Sequence, residues 1–290
     1  MILGNIVALV TPMNTDGTLD FISLEKLIDF HHQHGTAAIV IAGSTGESET
    51  LSFAEQSQLI EKSVQFADGR IPIIAGIGSN ATHEAIALAR MAKQYGAVAG
   101  LSVVPFYNKP TQQGMLNHFD CIAEGSGLPQ ILYNIPSRSV CDMHNDTILR
   151  LAENPLIIGL KDATSNMGRT IELLNNLPAD FALYAGNDDS ALPFMLVGGH
   201  GVISVSSNIV PQLMNEMSAY ALAGDAKKAR EVNAKLYKLH QVMGIETNPI
   251  PIKYAMATLG MIGPEIRMPL TELDQQYHQA VMQVVNEVLA

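Results

Sequence analysis

Short apolar runs alternate with longer amphipathic stretches along the first two-thirds of this chain, at intervals of about 25–35 residues. The runs fall at 5–10, 37–42, 71–75, 99–104, 130–134, 156–161, 181–185 and 201–205. Each is short and flanked by polar residues, as expected of a parallel strand covered on both faces. Between them, Ser23 to His34, Phe53 to Phe66 and Thr82 to Tyr95 carry apolar residues at helical spacing, with Ser23, Ser52 and Thr82 as the expected N-caps. Eight strand–helix units in order predict an α/β fold of the (β/α)8 TIM-barrel type. A doubly wound open sheet is the competing topology, but no Gly-x-Gly-x-x-Gly turn follows the first strand.

From about residue 224 the alternation stops. Gly224 to Gln241, Pro251 to Leu259 and Glu272 to Leu289 read as three helices, with no strand among them. No repeat and no Pro/Ser-rich linker sets them apart. The expectation is a barrel over 1–223 that carries the active site, and a C-terminal three-helix extension over 224–290 packed on it.

Composition narrows the class. Of the 290 residues 47% are hydrophobic and 16% charged, which suits a globular chain with a sizeable core. A net charge of −11 argues against the basic face that nucleic acid requires. Cys121 and Cys141 form no disulfide framework and match no zinc spacing, so reduced thiols in a cytoplasmic protein are expected. The first ten residues are apolar but lack the basic region of a signal peptide and are too short to span a membrane.

In a TIM barrel every strand ends at the same face, so residues far apart in sequence meet there. Strand two runs into Gly43-Ser44-Thr45-Gly46-Glu47, strand four into Pro105-Phe106-Tyr107-Asn108, and strand five into Tyr133-Asn134-Ile135-Pro136-Ser137-Arg138. Strand six ends at Lys161-Asp162-Ala163-Thr164, strand seven at Gly186-Asn187-Asp188-Asp189 and strand eight at Ile203-Ser204. An amine, two phenols, hydroxyls and a guanidinium on one face suit carbonyl chemistry on an anionic substrate.

Lys161 is the most telling member. A lysine closing a buried strand is a costly structural choice unless paired. Burial favours the neutral amine, and a neutral amine attacks carbonyls to form Schiff bases. The plain alternative is a solvated lysine just past a strand end. Gly43-Ser44-Thr45-Gly46 offers backbone N–H groups and hydroxyls suited to a carboxylate, although it can also be an ordinary βα turn. It is not a P-loop, since the Lys-Ser/Thr ending is missing. Tyr133 can relay protons to a carbinolamine, but a tyrosine ending a strand is more often a core residue. Arg138 can clamp a carboxylate bidentately, but a lone loop arginine is usually a surface charge. His31, His32 and His34 make a weak metal pattern and read as a solvated helix face. Asp188 and Asp189 lack a third ligand, so no metal is expected.

Taken together, Gly43-Ser44-Thr45-Gly46-Glu47, Tyr133-Asn134-Ile135-Pro136-Ser137-Arg138 and Leu160-Lys161-Asp162-Ala163-Thr164 resemble the signatures of the dihydrodipicolinate synthase / N-acetylneuraminate lyase superfamily. Gly199-His200-Gly201-Val202-Ile203-Ser204 and Asn248-Pro249-Ile250-Pro251-Ile252-Lys253 extend the resemblance over essentially the whole chain. It implies a class I aldolase that forms a Schiff base between Lys161 and pyruvate, with no cofactor. Arg138 points to the synthase branch of lysine and diaminopimelate biosynthesis, whose second substrate is L-aspartate 4-semialdehyde and whose product is 4-hydroxy-tetrahydrodipicolinate. Sialic-acid or sugar-acid lyases are the alternative on the same scaffold. The resemblance further implies that Tyr133, Ser44 and Tyr107 form a proton relay, with Tyr107 entering from a neighbouring subunit of a homotetramer built as a dimer of dimers. By the same resemblance Thr45 holds the pyruvate carboxylate, and Gly186 and the Ile203 carbonyl line the pyruvate pocket.

Two departures stand out. Ser44 occupies a place where the synthases commonly carry threonine. Ser48, Asn80, Glu84 and Tyr107 match the family's L-lysine feedback site, yet Phe53, Gln56 and Phe106 replace residues that are often more polar there. Weak or intermediate inhibition by L-lysine is therefore expected.

Overall fold

Eight parallel strands close on themselves in chain order, each paired with its sequence neighbour and the last with the first. A computed structural model describes residues 1–290. The strands are β1 Gly4–Ala8, β2 Ala38–Ile41, β3 Ile73–Gly76, β4 Ala99–Val103, β5 Gln130–Asn134, β6 Ile157–Asp162, β7 Ala182–Ala185 and β8 Gly201–Ser204. The helices outside them are α1 Phe21–Gln33, α2 Phe53–Ala67, α3 Thr82–Tyr95, α4 Gln112–Ser126, α5 Pro136–Ser139, α6 Asn145–Leu151, α7 Met167–Asn176, α8 Ala191–Leu196 and α9 Pro211–Leu222. Three more follow the barrel: α10 Ala226–Val242, α11 Ile250–Thr258 and α12 Gln275–Leu289. The expected TIM barrel with C-terminal helices is therefore what the chain adopts. No helix is long and apolar enough to cross a membrane.

Strand alternation splits the core in two. Ile6, Ala8, Val40, Ile74, Leu101, Ile131 and Tyr184 fill the barrel, while Val7, Ile39, Ile41, Ile73 and Leu132 face the helices. This is the period-2 rule applied to strands buried on both sides, and it explains why they read as continuous apolar runs.

Helix starts show where local chemistry overrode the expected caps. Ser52 does cap α2, in a capping box with Glu55. Ser23 does not cap α1: the helix begins at Phe21, and Asp20 accepts from the Ile22 and Ser23 N–H groups. A carboxylate three residues before Ser23 satisfies those donors better than a hydroxyl does. Thr82 is already the first residue of α3, and its hydroxyl bonds His118 Nδ1 at 2.9 Å instead of capping. The solvated-face reading also fails for His31, which is fully buried, bonded to Thr36 Oγ1 at 3.0 Å and set edge-on to Phe30. Burial lowers its pKa to about 3, so it is a neutral core residue.

The C-terminal helices reach back over the strand ends. From α10, His240 Nδ1 meets Ser206 Oγ at 2.8 Å, just past β8. From α11, Lys253 Nζ lies 2.5 Å from Glu47 Oε1 in the loop after β2, with both side chains almost wholly buried. Glu47 Oε2 accepts from the Arg267 N–H at 3.0 Å, and the Arg267 guanidinium grips both oxygens of Glu55. The extension thus braces the loops that carry the site.

Candidate active site

Lys161 is the penultimate residue of β6, only 5% exposed, and faces the barrel interior because its neighbour Leu160 faces the helices. Its register partners are Tyr133 on β5 and Tyr184 on β7. The amine lies 4.2 Å from the centre of the Tyr133 ring. No carboxylate forms an ion pair with it. Burial is the largest influence and lowers its pKa to about 8; the Asp188 charge opposes that shift and Arg138 assists it. At pH 7 roughly a tenth of such an amine is neutral, against about one part in three thousand for an ordinary lysine.

Tyr133 is 6% exposed, and burial holds its phenol well above the ordinary value, with Arg138 pulling down and Glu49 pushing up. It therefore stands beside Lys161 as a protonated donor. Tyr184, on the other side, bonds the Ile2 carbonyl through its hydroxyl at 2.8 Å and is committed to the fold.

After β2 the chain makes two short 3-10 turns, Ser44–Gly46 and Ser48–Thr50. The Gly43 carbonyl accepts from Gly46 N–H at 2.9 Å and Ser48 N–H at 3.3 Å. The N–H groups of Ser44 and Thr45 precede the first hydrogen bond of the earlier turn and have no acceptor in the chain. Glu47 then takes a left-handed conformation with φ 58°, which turns its carboxylate inward to Lys253. Thr45 Oγ1 accepts from Asn248 Nδ2 at 3.0 Å, and Arg138 Nη2 donates to the Asn248 carbonyl at 2.9 Å. One residue of the extension thus holds both this turn and the exposed guanidinium.

Two clefts open on this face. One of about 370 Å³ is lined by Ser44, Ser48, Asn80, Glu84, Phe106 and Tyr133 among others. The second, about 380 Å³, includes Ser44, Glu49, Phe106, Arg138 and Asn248 in its walls. Lys161 lines neither, but the Tyr133 ring that covers its amine lines the first. Ser44 is common to both. Gly186 and Ile203 line neither cleft. The Gly186 N–H donates to the Asp162 carbonyl at 2.8 Å, and a Cβ there would come within 2.6 Å of the Ala163 Cβ. Ile203 is buried inside the barrel on β8.

Tyr107 does not join this group within one chain. It is 89% exposed, holds φ at 69° and makes no hydrogen bond. Sequence reasoning also passed over four residues: Asn248, Glu47, Lys253 and Asp188. The first three lie in quoted motifs, and a lysine inside an otherwise apolar helix was the available signal for the Glu47–Lys253 pair. Asp188 was weighed only as a metal ligand. Its Oδ2 in fact accepts from the Val205 and Ser206 N–H groups at 3.0 and 2.9 Å.

A (β/α)8 barrel with a buried, unpaired lysine near the end of its sixth strand is the arrangement of a class I, Schiff-base-forming enzyme. The model of the dihydrodipicolinate synthetase family matches residues 1–288, and the chain belongs to that family. A 4-hydroxy-tetrahydrodipicolinate synthase of Nitrosospira multiformis is 53% identical over 99% of this chain and 95% of its own. The dihydrodipicolinate synthase of Acinetobacter baumannii, solved complexed with pyruvate, superposes with a TM-score of 0.98 at 47% identity over 99% of both chains. The enzyme from Cyanidioschyzon merolae, solved with lysine bound, gives 0.95 at 35% identity, over 99% of this chain and 98% of its own.

Proposed function

We propose that this protein is a 4-hydroxy-tetrahydrodipicolinate synthase, condensing pyruvate with L-aspartate 4-semialdehyde. The observation that carries the mechanism is Lys161: buried, unpaired, with its pKa lowered to about 8 and a protonated phenol against its amine. Neutral Lys161 adds to the pyruvate carbonyl, and the carbinolamine loses water with a proton supplied through Tyr133. The pyruvate carboxylate rests on the free N–H groups of Ser44 and Thr45, flanked by Gly186 and the Ile203 carbonyl. The iminium draws electrons from the methyl group, a proton leaves, and the enamine carbon attacks the aldehyde of the second substrate. Arg138, at the wall of the second cleft, receives that substrate's carboxylate. Its amine then displaces Lys161 and closes the ring, releasing the product.

Ser44 and Tyr133 share a cleft, and the 89% exposure of Tyr107 fits its delivery to the site of a neighbouring subunit in a homotetrameric dimer of dimers. Two free cysteines suit a cytoplasmic setting. Ser48, Asn80 and Glu84 line one cleft with Phe53, Gln56 and Phe106, which supports an L-lysine site there. Gln56 is tied to the Gly76 carbonyl at 2.9 Å and Glu84 to Ser79 at 2.8 Å, so inhibition is weak to intermediate. Full turnover at millimolar L-lysine would remove the site, and tight inhibition would show that the aromatic walls are tolerated.

Borohydride reduction in the presence of pyruvate, followed by peptide mapping, tests the central step. An adduct on Lys161, with consumption of L-aspartate 4-semialdehyde and no cleavage of N-acetylneuraminate, is the expected result. Folded protein without an adduct would overturn the proposal.

A further inference from the structure

Asp188 sits two residues past Gly186 on the loop after β7, the strand that pairs with β6 at Lys161. One carboxylate oxygen, Oδ2, takes the N–H groups of Val205 and Ser206, the first two residues beyond β8. The other, Oδ1, is buried and has no hydrogen-bond partner. Leaving a charged oxygen so costs free energy unless something nearby uses its field. Behind the clamp, Ser206 is held by His240 of α10 through a 2.8 Å hydrogen bond. This carboxylate therefore ties the loop after β7 to the exit of β8, and Ser206 in turn ties that exit to the C-terminal extension, beside the strand whose Ile203 is proposed to line the pyruvate side of the site.

We infer that Asp188 is a positioning residue for the Schiff-base chemistry, fixing the exit of β8, and with it Ile203, through its two backbone contacts. The inference rests on the proposed Schiff-base function and adds a residue to it. The groups around Lys161 leave Asp188 as the one acid in play. From β5 comes the Tyr133 phenol, from β7 the Tyr184 phenol bonded to Ile2, and from α5 the Arg138 cation. Asp162, next along β6, turns to Thr164 and Asn134. Asp189 is exposed, and its charge, like that of Asp188, acts on His240, whose pKa burial lowers. The Asp188 charge opposes the loss of the Lys161 proton that burial favours.

The test follows the pH dependence of pyruvate trapping on Lys161 by cyanoborohydride in the full-length enzyme, with the pyruvate KM measured alongside. In Asp188→Asn the midpoint of trapping moves to lower pH by about half a pH unit. Its pyruvate KM rises about tenfold, the scale of one charge-assisted hydrogen bond. A role confined to stability would lower the melting temperature and leave the pyruvate KM in place, and that result overturns the inference. Asp188→Glu keeps the charge but shifts it by one methylene: the midpoint stays and KM rises. Should the asparagine variant not fold, a glutamate variant with wild-type KM would overturn the inference by itself. Absence of trapping in the wild type would instead overturn the proposed function, so the two failures are distinct.

Discussion

Two lysines of this chain are buried almost completely, and they do opposite things. Lys253 is 2% exposed and lies 2.5 Å from the Glu47 carboxylate; Lys161 is 5% exposed and has no anionic partner. Burial lowers both pKa values, but around Lys253 Glu47 acts back through its charge and a hydrogen bond, whereas Lys161 meets only the more distant field of Asp188. The difference teaches that burial alone does not mark a functional lysine. A buried ammonium with a carboxylate beside it is a fastener. One without a carboxylate has been left in an unfavourable state that catalysis uses.

Replacing each lysine by methionine makes the contrast measurable. Lys161→Met loses turnover by about 10⁴-fold or more. Its stability rises, because the folded state no longer has to hold an amine away from its preferred charge. The sign follows from linkage: Lys161 has a folded pKa of about 8, below its ordinary value of 10.5, so its favourable contribution is complete above 10.5 and is lost as pH falls through 8. At neutral pH the gain on substitution is about 3 kcal/mol, and the gap between variant and wild type narrows as pH rises toward 10.5. Denaturant midpoints across that range check it. A Lys161→Met protein less stable than wild type at pH 7 would mean that the amine has a partner after all.

Lys253→Met works the other way. It leaves the Glu47 carboxylate buried without its cation, with only the Arg267 N–H still donating to it, at a cost of about 3–5 kcal/mol, read as a lower urea midpoint. Adding Glu47→Gln recovers most of the loss, since a neutral amide tolerates the site better than an unpaired charge. If the double variant is as unstable as the single one, packing holds this loop and the ion pair does not.

The sequence reveals the two lysines unequally, for a physical reason. Lys161 announces itself because it interrupts an apolar strand, and strand periodicity also makes the barrel and the eight loops legible. Lys253 stands in a helix whose burial comes wholly from tertiary packing, 206 residues away from its partner in the sequence. No local pattern encodes that distance. Asn248 is hidden for the same reason, since it touches Thr45 and Arg138 only once the extension folds over the barrel. Asp188 was visible as a residue but not as a clamp, because its partners are backbone N–H groups, which carry no sequence signature. His31 misled for the opposite reason: three histidines on one helix look solvated until the edge-on packing of Phe30 and the Thr36 hydroxyl bury one of them.

Ser44 links the two lysines. It stands three residues before Glu47, the fastened end of the loop, and lines the cleft that contains Tyr133, the phenol against Lys161. The Lys253–Glu47 pair fixes the backbone of this loop, but nothing fixes the Ser44 hydroxyl, which makes no hydrogen bond within the chain. A threonine keeps the hydroxyl and adds a methyl that restricts χ1, so it spends more time in one orientation. With the backbone already held, the remaining freedom lies in this side chain. Ser44→Thr is therefore expected to raise kcat by about twofold with pyruvate KM unchanged, because orientation of the proposed relay hydroxyl acts on the step and not on ground-state binding. Steady-state rates decide it. Turnover that is unchanged or lower would show that relay geometry is already set by the backbone, and that the fastened lysine alone positions what the unpaired one needs.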